Sequence, residues 1–89
     1  MQQRDVVVRN PSGLHARAAA RLTLAAAKFR SNIILVANGR RANARSLIAV
    51  MILAAGMGAH VLIEVQGPDE VEAMQEVAQL VASGFAEKR

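Results

Sequence analysis

Cysteine is absent from this 89-residue chain, which excludes a disulfide framework, thiol redox chemistry and any cysteine-ligated metal site. Tryptophan and tyrosine are also absent and phenylalanine occurs twice, so no aromatic platform exists on which bases or sugars would stack. The longest apolar run, Leu47 to Ala55, falls far short of a membrane span. The opening Met-Gln-Gln-Arg-Asp-Val lacks the apolar block of a signal peptide. The expectation is a cytoplasmic protein with no direct membrane insertion. Histidine occurs only twice, and His60 has no second histidine or carboxylate at ligand spacing. No metal and no cofactor are therefore expected.

What is present suits one small domain spanning residues 1–89. Hydrophobic residues make up 53% of the chain. Alanine supplies much of that, so the layers should be thin and closely packed. Eleven basic against seven acidic residues give a formal charge of +4, which favours an anionic ligand or partner without saying which kind.

In chain order, Asp5-Val6-Val7-Val8-Arg9 reads as a strand that Asn10-Pro11-Ser12-Gly13 ends as a turn. Ala16 to about Lys28 reads as a helix, with an apolar stripe from Ala18 or Ala19 through Leu22, Ala26 and Phe29. Ile33 to Ala37 and Arg40 to Ala44 flank Asn38-Gly39, a two-residue hairpin signal, and the second run should be an exposed edge strand. Ser46 is placed to cap a short helix over Leu47 to Leu53, so apolar all round that one face must enter the core. The other face is either tucked away or a contact patch. His60 to Gln66 reads as a strand with Val61, Ile63 and Val65 inward.

Asp69 and Glu72 have the spacing of a capping box for a last helix. Its stripe is Val71, Met74, Ala78, Val81 and Phe85, with Val77 flanking, and Glu87-Lys88-Arg89 is expected to be a solvated end. The order is β-α-β-β-α-β-α. The expected fold is an α/β (α+β) two-layer sandwich, its four-stranded sheet covered by helices on one face and comparatively polar on the other.

Chemistry centres on Gly13-Leu14-His15-Ala16-Arg17. His15 would stand at a helix start, where backbone N–H groups lack intrahelical partners and the dipole is positive, a position that welcomes a phosphate or carboxylate. A neutral imidazole is a competent nucleophile near neutral pH. A phosphoryl group on His15 could rest over the Ala16 and Arg17 amides, with the Arg17 guanidinium adding charge-assisted bonds. The same spacing also describes a solvated histidine, a solvated basic face at Arg17 and Arg21, an ordinary N-cap at Ser46, a structural His60 and core methionines.

Gly13-Leu14-His15-Ala16-Arg17, the serine-centred run Ala44 to Met51, and Gly67-Pro68-Asp69-Glu70 together resemble the histidine-containing phosphocarrier family of the bacterial phosphoenolpyruvate-dependent phosphotransferase system, HPr and its nitrogen-branch relatives. The resemblance covers essentially the whole chain. It implies an open-faced β-sandwich in which His15 is phosphorylated at Nδ1 and Arg17 steadies the phosphoryl group. Phosphorylated Enzyme I would be the donor and an Enzyme IIA protein or domain the acceptor. Both partners would dock on Arg17, Ala20 and Arg21 with Leu47, Ile48 and Met51. Ser46 corresponds to the serine that a dedicated kinase, HPr kinase/phosphorylase, phosphorylates in some bacteria. Such a carrier has no independent enzymatic turnover.

The family usually has proline where this chain has Ala18. The expectation is a slightly looser helix start with competence retained. Ser83-Gly84-Phe85 resembles nitrogen-related carriers, and the rest fits a general sugar-transport carrier. A regulatory nitrogen-branch phosphoacceptor acting on sensor or regulator proteins is therefore an alternative. A small basic nucleic-acid-binding module is a more distant one, disfavoured by the lack of aromatics and by scattered basic residues.

Overall fold

The computed structural model describes residues 1–86, so the end expected to be solvated, Glu87 to Arg89, lies outside the described residues. The elements are β1 (Gln2–Val7), α1 (Ala16–Ala27), β2 (Asn32–Ala37), β3 (Arg40–Asn43), α2 (Leu47–Ile52), β4 (His60–Gln66) and α3 (Glu70–Ala82), followed by a 3-10 turn (Gly84–Ala86). All neighbouring strands are antiparallel, in the order β1-β4-β2-β3. This is the expected open-faced sandwich with helices on one side.

The two central strands carry the strongest apolar sequence. Ile33 and Leu35 of β2, and Val61, Ile63 and Val65 of β4, are fully buried beneath the helices. On the open face, Arg41 Nη2 donates to Glu64 Oε1 at 2.8 Å and Gln3 Nε2 donates to Glu64 Oε2 at 3.2 Å. Leu22 of α1 and Met74, Val77 and Val81 of α3 close the core, each apolar side chain of this size contributing roughly 1.5–3 kcal/mol on burial.

The hairpin is as expected: Asn38 (φ 52) and Gly39 (φ 75) both occupy the left-handed region that a type I′ turn requires. Asn38 does more than turn. Its Nδ2 donates to the carbonyls of Leu53 (2.8 Å) and Ala54 (3.3 Å), and Arg40 Nη1 donates to Ile52 O at 3.1 Å. The β2–β3 turn thus satisfies carbonyls left open at the end of α2.

Three expectations need correction. The first strand begins earlier and ends sooner than Asp5–Arg9: as an edge strand with one polar face it accepts Gln2, Gln3 and Arg4, and Arg9 lies beyond it. The last helix buries Ala73 and Val77 along with Met74, Ala78 and Val81, while Val71 is exposed. Phe85 is buried from the 3-10 turn, at φ 58, and not from the helix.

The capping box is also absent, because the Asp69 side chain makes no cap bond. Its carboxylate reaches instead to the α1–β2 connection, accepting from the N–H of Arg30 and of Ser31, both at 2.9 Å, and from the Ser31 hydroxyl at 2.5 Å. Glu70 Oε1 takes the N–H of Gly67 at 3.2 Å.

The Ser31 hydroxyl above all, with the Arg30 and Ser31 amides, holds the Asp69 carboxyl below its ordinary value of 3.8. A group that binds its proton more weakly folded than unfolded contributes stability that is complete above the unfolded value and lost as pH falls through the folded one. Thermal unfolding of wild type should therefore lose more ground below pH 3.8 than that of Asp69→Asn. Parallel profiles for the two proteins in that window would contradict the assignment.

Candidate functional site

The approach to α1 is built by Asn10 and Gly13. The Asn10 side chain is buried, and its Nδ2 donates to Gly13 O at 2.7 Å while the Gly13 N–H returns to Asn10 O at 3.1 Å. Gly13 sits at φ 65, and a Cβ there would lie 2.5 Å from Ala55 O. Only glycine fits a backbone pressed this closely against the segment after α2. Leu14, buried, then donates its N–H to Ala55 O at 2.9 Å. The Asn-Pro-Ser-Gly run marks a turn in the sequence; nothing in it reveals that Asn10 is the internal clamp.

These contacts deliver His15 to the N-cap of α1, in extended backbone (φ −74, ψ −178). Its carbonyl accepts from the Ala19 N–H at 2.8 Å, and its ring Nδ1 accepts from the Ala18 N–H at 3.2 Å. An Nδ1 that accepts leaves the proton of the neutral ring on Nε2. The imidazole therefore turns its Nδ1 lone pair toward the open end of the helix. The N–H groups of Ala16 and Arg17, the first two of α1, have no intrahelical acceptors, and no acidic residue occupies the first turn. The end of a 12-residue helix thus presents positive potential next to a ring nitrogen able to act as a nucleophile.

The second wall comes from α2 and its exit. Ser12, Leu14, His15, Met51, Ala54 and Ala55 line a notch of about 260 Å³. Ala54 closes it in the left-handed region (φ 53). The Ser46 side chain accepts from the Ala49 N–H at 3.2 Å, which confirms its capping role. Val50 is buried, whereas Ile48 is 69% and Met51 40% exposed. Of the two fates open to the outer face of α2, exposure is the one realised, and Leu47 and Ile52 extend the apolar patch.

Arg17 is exposed at the second helical position and Ala20 is half-buried one turn on. Arg21, also exposed, donates its Nη1 to Phe85 O at 2.6 Å and ties down the turn after α3. Other arginines are likewise engaged within the fold. Arg41 pairs with Glu64, and Arg45 donates to the carbonyls of Phe29 and Ser31. A basic stripe suited to a nucleic-acid backbone does not form from them. His60 pairs with Asp5 at 2.8 Å on the exposed sheet surface, apart from the notch. A larger groove of about 820 Å³ between α1 and α3, lined by Leu24, Lys28, Phe29, Glu76 and Leu80 among others, contains no histidine.

Ala18, where the resemblance leads one to expect proline, has its amide hydrogen-bonded to the His15 ring and its side chain buried. Proline has no N–H with which to do this. The signal was in the sequence, as a residue that restores a donor at a position where the resemblance leads one to expect none.

No helix among the described residues is long and apolar enough to cross a membrane. The family model described as "PTS HPr component phosphorylation site" matches residues 2–83. The phosphocarrier protein HPr of Cupriavidus necator is 48% identical over 87 residues, 98% of each chain. HPr of Xylella fastidiosa strain 9a5c is 41% identical with the same coverage. An HPr crystal structure from Thermoanaerobacter tengcongensis superposes with a TM-score of 0.94 at 34% identity, covering all of both chains. These relatives carry the HPr name, which does not favour the nitrogen-branch alternative raised by Ser83-Gly84-Phe85.

Proposed function

Because this chain belongs to the HPr family, the phosphocarrier proteins of the phosphotransferase system, we propose that His15 is its phosphoacceptor and Nδ1 the atom that takes the phosphoryl group. The observation that carries this reading is the pairing of an Nδ1 lone pair with the open amides of α1, beside the exposed apolar face of α2. Phosphorylated Enzyme I is the donor and an Enzyme IIA protein or domain the acceptor. The lone pair attacks phosphorus, the Ala16 amide takes part of the oxygens' charge, and Arg17 adds a charge-assisted contact. The attack asks no general base of this chain, because the attacking Nδ1 is the ring nitrogen that accepts from the Ala18 N–H and has no proton to lose.

Both partners would meet Leu47, Ile48 and Met51, with Arg17, Ala20 and Arg21 at the border. An apolar centre beside basic residues suits brief, steered encounters with acidic surfaces. Phosphorylation of Ser46 by an HPr kinase/phosphorylase would place negative charge at the edge of this patch and weaken such encounters.

A chase experiment tests the relay. Carrier loaded by phosphoenolpyruvate and Enzyme I, then separated from them, should lose its label to an added sugar-system IIA protein within seconds to minutes. Label that stays on the carrier while IIA remains unlabelled would reject the assignment of acceptor.

A further inference from the structure

We propose that the backbone N–H of Ala18 is a positioning donor for phosphoryl transfer, exchanging one acceptor for another during the reaction: the Nδ1 lone pair in the resting protein and a phosphoryl oxygen once Nδ1 is phosphorylated. This rests on His15 Nδ1 as the phosphoacceptor and adds to it a residue that a chain with proline at this position could not use.

The Ala18 N–H, the third of the helix, lies 3.2 Å from Nδ1 and donates to it. Nδ1 has a single in-plane lone pair. It cannot both accept from Ala18 and bond to phosphorus. Attack therefore breaks the N–H···Nδ1 bond as the Nδ1–P bond forms. The bond from phosphorus to the donor's leaving atom breaks, and its electron pair returns to that atom. The proton on Nε2 stays where it is. Ala18 is then left with an unpaired donor at a helix end, next to oxygens bearing at least one full negative charge, and the nearest of these replaces the lost acceptor.

Two consequences follow from that exchange. The resting ring is held in one tautomer and one orientation, with Nδ1 already facing the helix end. The bond gained is charge-assisted and the bond lost is neutral, so the exchange favours the phosphorylated state by about tenfold. A proline here would forgo both effects. Its ring is tolerated in the first turn of a helix, but it supplies no hydrogen.

The test begins with the intact, uniformly 15N-labelled protein at about pH 8, where an ordinary imidazole is neutral. Long-range proton–nitrogen spectra should show His15 protonated on Nε2 with Nδ1 as the acceptor. Phosphoramidate, which supplies a phosphoryl group without a partner protein, should then move the Ala18 amide proton downfield as Nδ1 becomes phosphorylated. A resting ring protonated on Nδ1, or an Ala18 amide indifferent to phosphorylation, would overturn the proposal. Ala18→Pro should lower the equilibrium ratio of phosphorylated to free carrier about tenfold, whereas Ala18→Gly, which keeps the N–H, should not. Equal ratios in folded wild type and Ala18→Pro would also overturn it. If Enzyme I delivers nothing to His15, the relay fails, and the phosphoramidate spectra still decide the role of Ala18.

Discussion

Gly13→Ala is expected to destabilise the protein by about 2–4 kcal/mol, combining left-handed strain with overpacking. The added Cβ would meet Ala55 O at 2.5 Å and Gly56 Cα at 2.7 Å, and both are backbone atoms with no rotamer to change. Relief requires the segment after α2 to withdraw, which lengthens or breaks the Leu14 N–H bond to Ala55 O. It also moves the wall of the notch away from His15. The loss should appear as a lower urea midpoint with an unchanged slope.

Gly39→Ala separates the two contributions. Gly39 also has positive φ (75), but nothing lies within 4 Å of its would-be Cβ. It should show the dihedral cost alone, of about 1 kcal/mol. A Gly13→Ala midpoint no lower than that of Gly39→Ala would mean that the contact between the His15 loop and the α2 exit is not tight.

Local pattern made much of this fold legible. Asn38-Gly39 marked the hairpin because only residues tolerant of positive φ fill such a turn, and the apolar spacing of Leu22 and Ala26 marked the buried face of α1. Ser46 was readable as a cap because its acceptor role is local. Where the partner is distant in sequence, the pattern was silent or misleading. Asp69 and Glu72 have capping-box spacing, yet Asp69 serves Arg30 and Ser31, across 38 or 39 positions of chain. Val71 continued the apolar stripe on paper but is exposed, whereas Ala73, off that stripe, is buried.

Phe85 fitted the helical period, but the chain leaves the helix at Ser83 and returns Phe85 to the core by way of left-handed backbone. Arg21 makes a contact that local pattern does not show: its length lets it reach Phe85 O, 64 positions along the chain. His15 itself was conspicuous from the start as one of two histidines, at the seam between turn and helix. The atom it uses to cap that helix, and the donor it caps with, are matters of side-chain orientation that composition and spacing do not carry.

The largest effect should come from His15. Among the described residues, His15 is the one nucleophile in front of the open amides of α1, and no other group there could stand in for it. His60 lies on the exposed sheet surface, paired with Asp5. Removing the imidazole should therefore abolish phosphorylation altogether. Alanine at 15 also deletes an N-cap, which costs about 1 kcal/mol and could blur the reading, so His15→Asn is the better variant: asparagine is among the best N-caps and carries no nucleophilic ring. Wild type, His15→Asn and His15→Ala should each be incubated with phosphoenolpyruvate and Enzyme I and weighed intact. One acid-labile phosphate on the wild type and none on either variant is the predicted result. Equal labelling of wild type and His15→Asn would contradict the account at its centre.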